Sequence, residues 1–353
     1  MDALDQDYIV IGAGSAGAVL AARLSENGRY RVLLLEAGPA DRSPWVHLPI
    51  GYGKTMFHPV LNWGFQTEPE PGLNDRRIYW PRGRCLGGSS SINGLIYIRG
   101  QAADYDGWAA LGNPGWGWPE VLPFFIRAEC NARGADQRHG AAGPLHVSDI
   151  GEPHPLMEAI IQAAATLGVP PNADFNGPCQ EGVGYYQLTT RHGLRVSSAA
   201  AYLRPARRRG NLRIEVRARA TRLLFAGTRG IGVEYRQGTR LLQARAAREV
   251  LLAAGAVQSP QLLELSGLGD ARRLAELGIT VVGHLPGVGE NLQDHLQLRS
   301  IHRVTRPITT NDDLHTWFGQ ARIGLRWLLT RRGPLAIGIN QGGLFTRVLP
   351  EST

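Results

Sequence analysis

Apolar residues cluster early in this chain. Tyr8-Ile9-Val10-Ile11 is one unbroken apolar run and Val32-Leu33-Leu34-Leu35 is a second. Runs of this length without alternation predict strands buried on both faces of a parallel sheet. Between them, Ala16 to Leu24 is rich in Ala, Val and Leu, which predicts a helix packed on that sheet. Residues 39–82 are proline-rich and aperiodic, and read as a long excursion. Helices are expected from Pro119 to Arg127, over 153–168 and over 197–209, the last capped by Ser197 or Ser198. Short strands follow at Leu212–Val216, Ala220–Phe225 and Gly230–Tyr235, then a buried strand from Arg248 to Ala254. Pro260 to Leu265 predicts a helix with Ser259 as its cap and Pro260 at its first position. Residues 271–278 predict a short helix. Residues 314–330 predict an amphipathic one, with Trp317, Phe318, Leu325, Trp327 and Leu328 expected to pack against the domain. Gly338 to Arg347 reads as a strand.

The connections carry more information than the elements. The first apolar run ends on Gly12-Ala13-Gly14-Ser15-Ala16-Gly17, and the second ends on Glu36. Strand, glycine turn, helix, strand and acid, in that order, make a dinucleotide-binding unit. Gly12 allows the tight turn, Gly14 lets a pyrophosphate approach the backbone, and Gly17 lets helix and strand pack closely. The helix start offers free N–H groups and partial positive charge to phosphates. Glu36 follows Gly17 by 19 residues, against about 20 expected, and can accept hydrogen bonds from ribose hydroxyls. This pattern alone leaves FAD and NAD both open.

Composition narrows the class. At 353 residues with 43% hydrophobic positions, one large or two medium domains with a substantial core are expected. The net charge of +8 lies largely in arginines such as Arg207-Arg208-Arg209 and Arg331-Arg332. These short runs lack interleaved aromatics, so they read as solvated surface and not as a nucleic-acid site. Cys85, Cys130 and Cys179 are far apart and show no metal-ligand spacing. Reduced thiols and a cytoplasmic location are expected, with a peripheral seat at the inner face of a membrane left open. The first strand starts too early for a signal peptide, and no apolar run is long enough to span a bilayer.

Two further blocks are more specific. Gly83-Arg84-Cys85-Leu86-Gly87-Gly88-Ser89-Ser90-Ser91-Ile92-Asn93-Gly94 sets paired glycines and three serines between apolar residues, so it reads as a buried ligand loop. Gly255 to Gly269 sets a glycine turn at the carboxyl end of a strand, where such sheets bind ligands. Together with Gly287-Val288-Gly289-Glu290-Asn291-Leu292-Gln293-Asp294-His295, these blocks resemble the signatures of the glucose–methanol–choline (GMC) flavin oxidoreductases, on the choline and alcohol dehydrogenase side. The likeness runs from Asp7 to about Arg347.

The resemblance implies an α/β fold: a discontinuous FAD-binding, Rossmann-like domain (1–42, 83–105, 210–300) interleaved with an incomplete α+β substrate domain (43–82, 106–209, 301–353). It implies FAD, with Gly12, Gly14, Ser15, Ala16 and Gly17 at the pyrophosphate, Glu36 at the adenosine ribose, and Ala37 among the other cofactor-binding residues. Arg84 and Gly88 would lie near the flavin end, and Asn93, Gly94, Leu95 and Ile96 would border the ring. Ala220 would meet the adenine through its backbone, and Gly255 belongs to the second signature. Ile92 stands where some members carry a flavin-bound histidine, which implies non-covalent FAD. The implied reaction moves a hydride from a choline-like or primary alcohol to flavin N5, helped by a His/His or His/Asn pair. That pair would lie beyond Thr353, and none of the histidines present matches it, so the chain is expected to be truncated and inactive by itself. Trp63 and Tyr79 are loose candidates for a cation-binding wall. The electron acceptor, quinone-like or oxygen, stays open. The alternatives are a non-catalytic FAD-binding remnant and an NAD-dependent Rossmann enzyme.

Overall fold

A computed structural model describes residues 4–338 and 340–347. Residue 339, inside the strand expected from Gly338 to Arg347, lies outside the described residues. The chain forms two compact units. The first comprises residues up to Arg42, Lys54–Ile92 and Ser197–Arg306. The second comprises Ser43–Gly53, Asn93–Val196 and the residues from Pro307 onward.

The first unit is built on a six-stranded sheet. Its elements are β1 (Leu4–Ile11), α1 (Ser15–Leu24), β2 (Val32–Glu36), β3 (Leu212–Val216), β4 (Ala218–Ala226), β5 (Arg229–Gln237), β6 (Arg240–Leu252), α2 (Gln258–Leu265) and α3 (Ala271–Glu276). The strand order is β3-β2-β1-β6-β5-β4. The first four strands run parallel, and β5 and β4 close the sheet as an antiparallel hairpin pair. All five residues of β2 are buried, as its unbroken apolar run requires. Tyr8 faces Val32 on one side and Glu249 on the other. Ile9, Ile11, Leu33, Leu35, Val233, Tyr235 and Leu262 form one core cluster. α1 turns its small residues, Gly17, Ala18, Ala21 and Ala22, inward, so the helix lies close to the sheet.

Several boundaries differ from the sequence reading. β6 starts at Arg240, eight residues before the expected strand, because Gly238 (φ +60°) turns the chain back as a hairpin. It is also half-exposed, since Arg245, Arg248 and Glu249 face solvent. α2 starts at Gln258, so Ser259 and Pro260 lie inside its first turn and Ser259 is no cap. In place of one helix over 197–209, a π-helical turn at Ala199–Leu203 runs into a short helix at Arg204–Ala206. Gly278 (φ +70°) ends the expected 271–278 helix early.

The unit boundaries also depart from the expected domains. Residues 54–82 belong to the first unit, tied there by backbone bonds from Trp63 to Arg82 and from Arg84 to Leu61. Residues 197–209 belong there too, where Arg209 Nη1 donates to Ser25 Oγ at 3.0 Å, just past the end of α1. Residues 93–105 fold with the second unit, because Ile96–Tyr97 pairs with Gln187–Leu188 and Arg99 is ion-paired to Glu129.

The second unit centres on that polar core. Arg99 Nη2 sits 2.7 Å from Glu129 Oε2, with both side chains buried. His139 bridges Glu129 (3.0 Å) and Asp174 (2.9 Å). Hydrogen bonds from these two acids raise the His139 pKa to about 9. Burial, the largest influence, pushes the Glu129 carboxyl up, and His139, Arg99, Asn131 and Gly140 together hold it below its ordinary value. The helix expected over 314–330 is observed as Trp317–Thr330, where the Thr316 hydroxyl caps it by accepting from the Gly319 amide, and a separate short helix, Thr310–Leu314, precedes it. Ile323 is buried, but Trp317, Phe318, Leu325, Leu328 and Leu329 are exposed, contrary to the packed face expected. Among the described residues no helix is long and apolar enough to cross a membrane.

Candidate functional site

The carboxyl ends of β1, β2 and β6 open onto a cleft of about 520 Å³. Gly12, Gly14, Ser15, Ala16, Glu36, Ala37, Gly88, Ala220 and Gly255 all line it, so nine of the sequence-assigned residues converge there. Gly12 has φ +98°, and a Cβ on it would fall 2.4 Å from the Ala253 carbonyl oxygen, so the turn needs glycine. A Cβ on Gly14 would meet nothing closer than 3.9 Å, so the space in front of that backbone is open. Gly88 (φ +53°) lies against Gly14, where a Cβ would come within 2.7 Å of the Gly14 Cα. The two glycine loops therefore meet backbone to backbone. Gly17 lies behind the cleft and packs against the Gly12 carbonyl, as expected for helix–strand contact.

The electrostatics favour an anionic, hydroxyl-bearing ligand. No side chain caps α1, and no acid lies in its first turn, so its leading amides face the cleft with the helix dipole behind them. Glu36 is almost fully buried. Its Oε2 accepts from the Ala13 amide (3.0 Å) and its Oε1 from the Gly38 amide (2.8 Å). Burial raises its pKa to about 7 against the pull of those two amides and of Arg84. Each oxygen keeps a lone pair for a ribose hydroxyl.

Four assigned residues belong to the second unit. Asn93 Oδ1 accepts from Arg195 Nη1 (2.7 Å) and from the Leu95 amide (3.1 Å). Leu95 is buried in a cluster with Leu188 and Ile337, and Ile96 packs against that cluster. Any ligand contact from Leu95 is therefore made by its backbone. Gly94 stands between them with open space at its Cβ position. Arg84 does not line the cleft: its Nε and Nη2 donate to the carbonyls of Val60 and Pro59. Tyr79 is committed elsewhere, its hydroxyl donating to the Met56 carbonyl and accepting from Asn62 Nδ2. Ile92 is buried, and Cys85 fills a fully buried position.

Sequence reasoning missed much of the cleft wall: Phe65, Arg82, Arg219, Ala253, Gln258 and Gln261. Trp63, noticed only as a possible cation wall, stacks parallel on Phe65 with ring centroids 5.9 Å apart and lines this cleft. The L-N-W-G-F stretch was the available signal, but aromatics in a proline-rich excursion carry no period. None of the ten histidines lines the cleft. Several act structurally: His58 Nδ1 accepts from Val60, His154 Nδ1 from Leu156, and His284 Nδ1 from Ala271.

A parallel sheet with a glycine turn, an uncapped helix start and a buried acid at its carboxyl edge defines a dinucleotide-binding α/β protein. Comparison with known proteins makes the class specific. The GMC oxidoreductase family model matches residues 6–297, and the chain belongs to that family. Mitochondrial choline dehydrogenase of Mus musculus is 46% identical over 353 residues, taking in 97% of this chain and 59% of the relative. Oxygen-dependent choline dehydrogenase of Brucella suis biovar 1 is 42% identical over 344 residues, taking in 98% and 62% respectively. Among solved structures, pyridoxine 4-oxidase from Mesorbium loti superposes with a TM-score of 0.79 at 36% identity, over 82% of this chain and 57% of that one. The chain thus spans about three fifths of the length of the relatives it matches.

Proposed function

We propose that the first-unit cleft binds FAD non-covalently and that this chain serves an oxidoreductase acting on a choline-like or other primary alcohol. The convergence of Gly12, Gly14, Ser15, Ala16, Glu36, Gly88 and Gly255 on one cleft carries the reading. The residues fit the group: open backbone at Gly14 and Gly255 for close approach, uncapped amides for a pyrophosphate, and a buried carboxylate for ribose hydroxyls. When bound, the flavin supplies a two-electron acceptor for a hydride from the carbinol carbon. The Gly14–Ala16 backbone orients the phosphates, Glu36 and Ala37 hold the ribose, and the Ala218–Ala220 backbone walls the adenine. Assignment of Asn93, Gly94, Leu95 and Ile96 to the flavin ring rests on their motif alone. Ile92 carries no nucleophilic atom, which supports a non-covalent cofactor.

Purification tests the cofactor. A yellow protein whose colour is released into the supernatant by acid precipitation is expected. Colour retained on the chain overturns non-covalent binding, and affinity for NAD without colour favours a nicotinamide enzyme. Anaerobic mixing of the reconstituted chain with choline or a primary alcohol is expected to leave the flavin coloured, because the cleft holds no histidine base. Rapid bleaching sinks that expectation. Both a quinone-like acceptor and oxygen are compatible with the reading, and turnover of the full-length enzyme with and without oxygen separates them. The exposed apolar and arginine-bearing helix Trp317–Thr330 supports a peripheral seat at the inner face of a membrane, which vesicle flotation tests.

A further inference from the structure

Two cations line the cleft, Arg82 and Arg219, and neither is the Arg84 of the glycine-serine motif. Arg84 is turned onto two carbonyls, and Arg82, two residues earlier, lines the cleft. The backbone next to Arg82 is pressed against the glycine loops. A Cβ on Gly83 would fall 2.2 Å from the Gly88 carbonyl carbon, and Gly88 in turn touches Gly14. The Gly83 amide donates to Ser89 Oγ at 3.1 Å, which fixes this segment to the loop. Arg82 therefore stands beside the uncapped start of α1.

Its orientation is set from the other side. The guanidinium carbon lies 3.9 Å from the Trp80 ring centroid, and Trp80 Nε1 donates to Asp294 Oδ2 at 2.8 Å. Arg82 Nη1 donates to the Pro81 carbonyl. Its Nε and Nη2 have no hydrogen-bond acceptor among the described residues. Asp294 belongs to the Gly287–His295 segment, a motif that the cleft itself does not use.

We propose that Arg82 is the cation that binds the phosphate oxygens of the dinucleotide, positioned by the Trp80–Asp294 pair. The inference rests on the dinucleotide reading of the cleft. A planar guanidinium with N–H groups to spare suits two phosphate oxygens at once, and stacking on an indole leaves its edge free to donate. Asp294 offsets the cation's cost of partial burial without taking its N–H groups. The α1 amides then meet the same phosphates from the opposite side.

Binding of ADP and of adenosine to the full chain, followed by calorimetry or ligand-observed NMR, separates a phosphate contact from general damage. Arg82→Gln is expected to weaken ADP about tenfold or more and to leave adenosine unchanged, with a shallower salt dependence for ADP. Arg82→Lys should fall between, and Arg84→Gln should leave the ADP-to-adenosine ratio unchanged. Should Arg82→Gln not fold, Asp294→Asn gives the same selective weakening on a smaller scale. Equal weakening of ADP and adenosine, or no weakening, overturns the role of Arg82 alone. Failure of the unaltered chain to bind either ADP or FAD overturns the dinucleotide reading together with it.

Discussion

The Ala13 amide donates to Glu36 Oε2 at 3.0 Å, so the glycine turn and the acid at the end of the next strand are one hydrogen-bonded piece. The acid that is to hold ribose also braces the turn that is to hold phosphate. Glu36→Ala therefore leaves two buried amides, Ala13 and Gly38, without acceptors. Each such loss costs about 1–3 kcal/mol. The expected outcome is a lower denaturation midpoint together with an FAD affinity reduced about 10- to 100-fold, read by urea melts and flavin titration.

Glu36 also sets a pH dependence. Its folded pKa of about 7 lies above the ordinary 4.5, so the folded chain holds an extra proton between those values. Stability must then fall as pH rises from 4.5 to 7, by up to about 3 kcal/mol from this group. Urea melts across that window should show the slope in the unmodified chain and lose it in Glu36→Gln. A slope unchanged by Glu36→Gln refutes the assignment.

His139 acts in the neighbouring window with the same sign. Its pKa rises from 6.5 to about 9, so its contribution is fully present below 6.5 and is lost as pH rises through 9. The amount is about 3 kcal/mol. His139→Gln should flatten the alkaline limb of the stability curve and lower stability at pH 6. NMR titration of the imidazole checks the pKa directly.

Gly88→Ala places a methyl 2.7 Å from the Gly14 Cα at a φ of +53°. The methyl is fixed to its own backbone and the Gly14 Cα is a backbone atom, so neither loop can yield by a side-chain rotation. The loops are expected to part, with loss of FAD binding by at least about tenfold and destabilisation of about 1–3 kcal/mol. Retained flavin colour at wild-type affinity would count against the backbone contact as part of the site.

Arg195 donates to both the side-chain and main-chain oxygens of Asn93, at 2.7 Å each, and to the Val46 carbonyl. Lysine cannot reproduce that fork. Arg195→Lys should cost about 1.5–3 kcal/mol per lost charge-assisted bond, seen as a lower thermal midpoint.

The dinucleotide unit was legible because its signals are local. Unbroken apolar runs, a glycine turn and an acid at fixed spacing describe β1, α1 and β2 without reference to the rest of the chain. β6 was half-read, since Arg240–Ala247 mixes arginine with alanine and leucine in no clean period, and pairing with β1 and β5 overrides that pattern. The serine-led stretch at 197–209 promised an ordinary capped helix, but it winds as a π turn packed on α1. In the site, glycines were found because backbone geometry demands them. Arg82 and Trp63 were missed because their direction depends on Trp80, Asp294 and Phe65, contacts that no spacing rule encodes. Arg84 stays out of the cleft for the same reason: a motif fixes which residue is present, not where a long side chain ends.

The strand order has a consequence for how the chain reaches this state. β1 and β2 are made first, yet β1 waits for Glu249 opposite Tyr8, and β2 waits for Leu212 opposite Val32. During synthesis the first βαβ piece therefore carries two bare, strongly apolar edges while the second unit's long Asn93–Val196 segment emerges. Such a chain closes late and across large sequence distances, so its folding is expected to be slow and to favour chaperone capture of the nascent N-terminal strands.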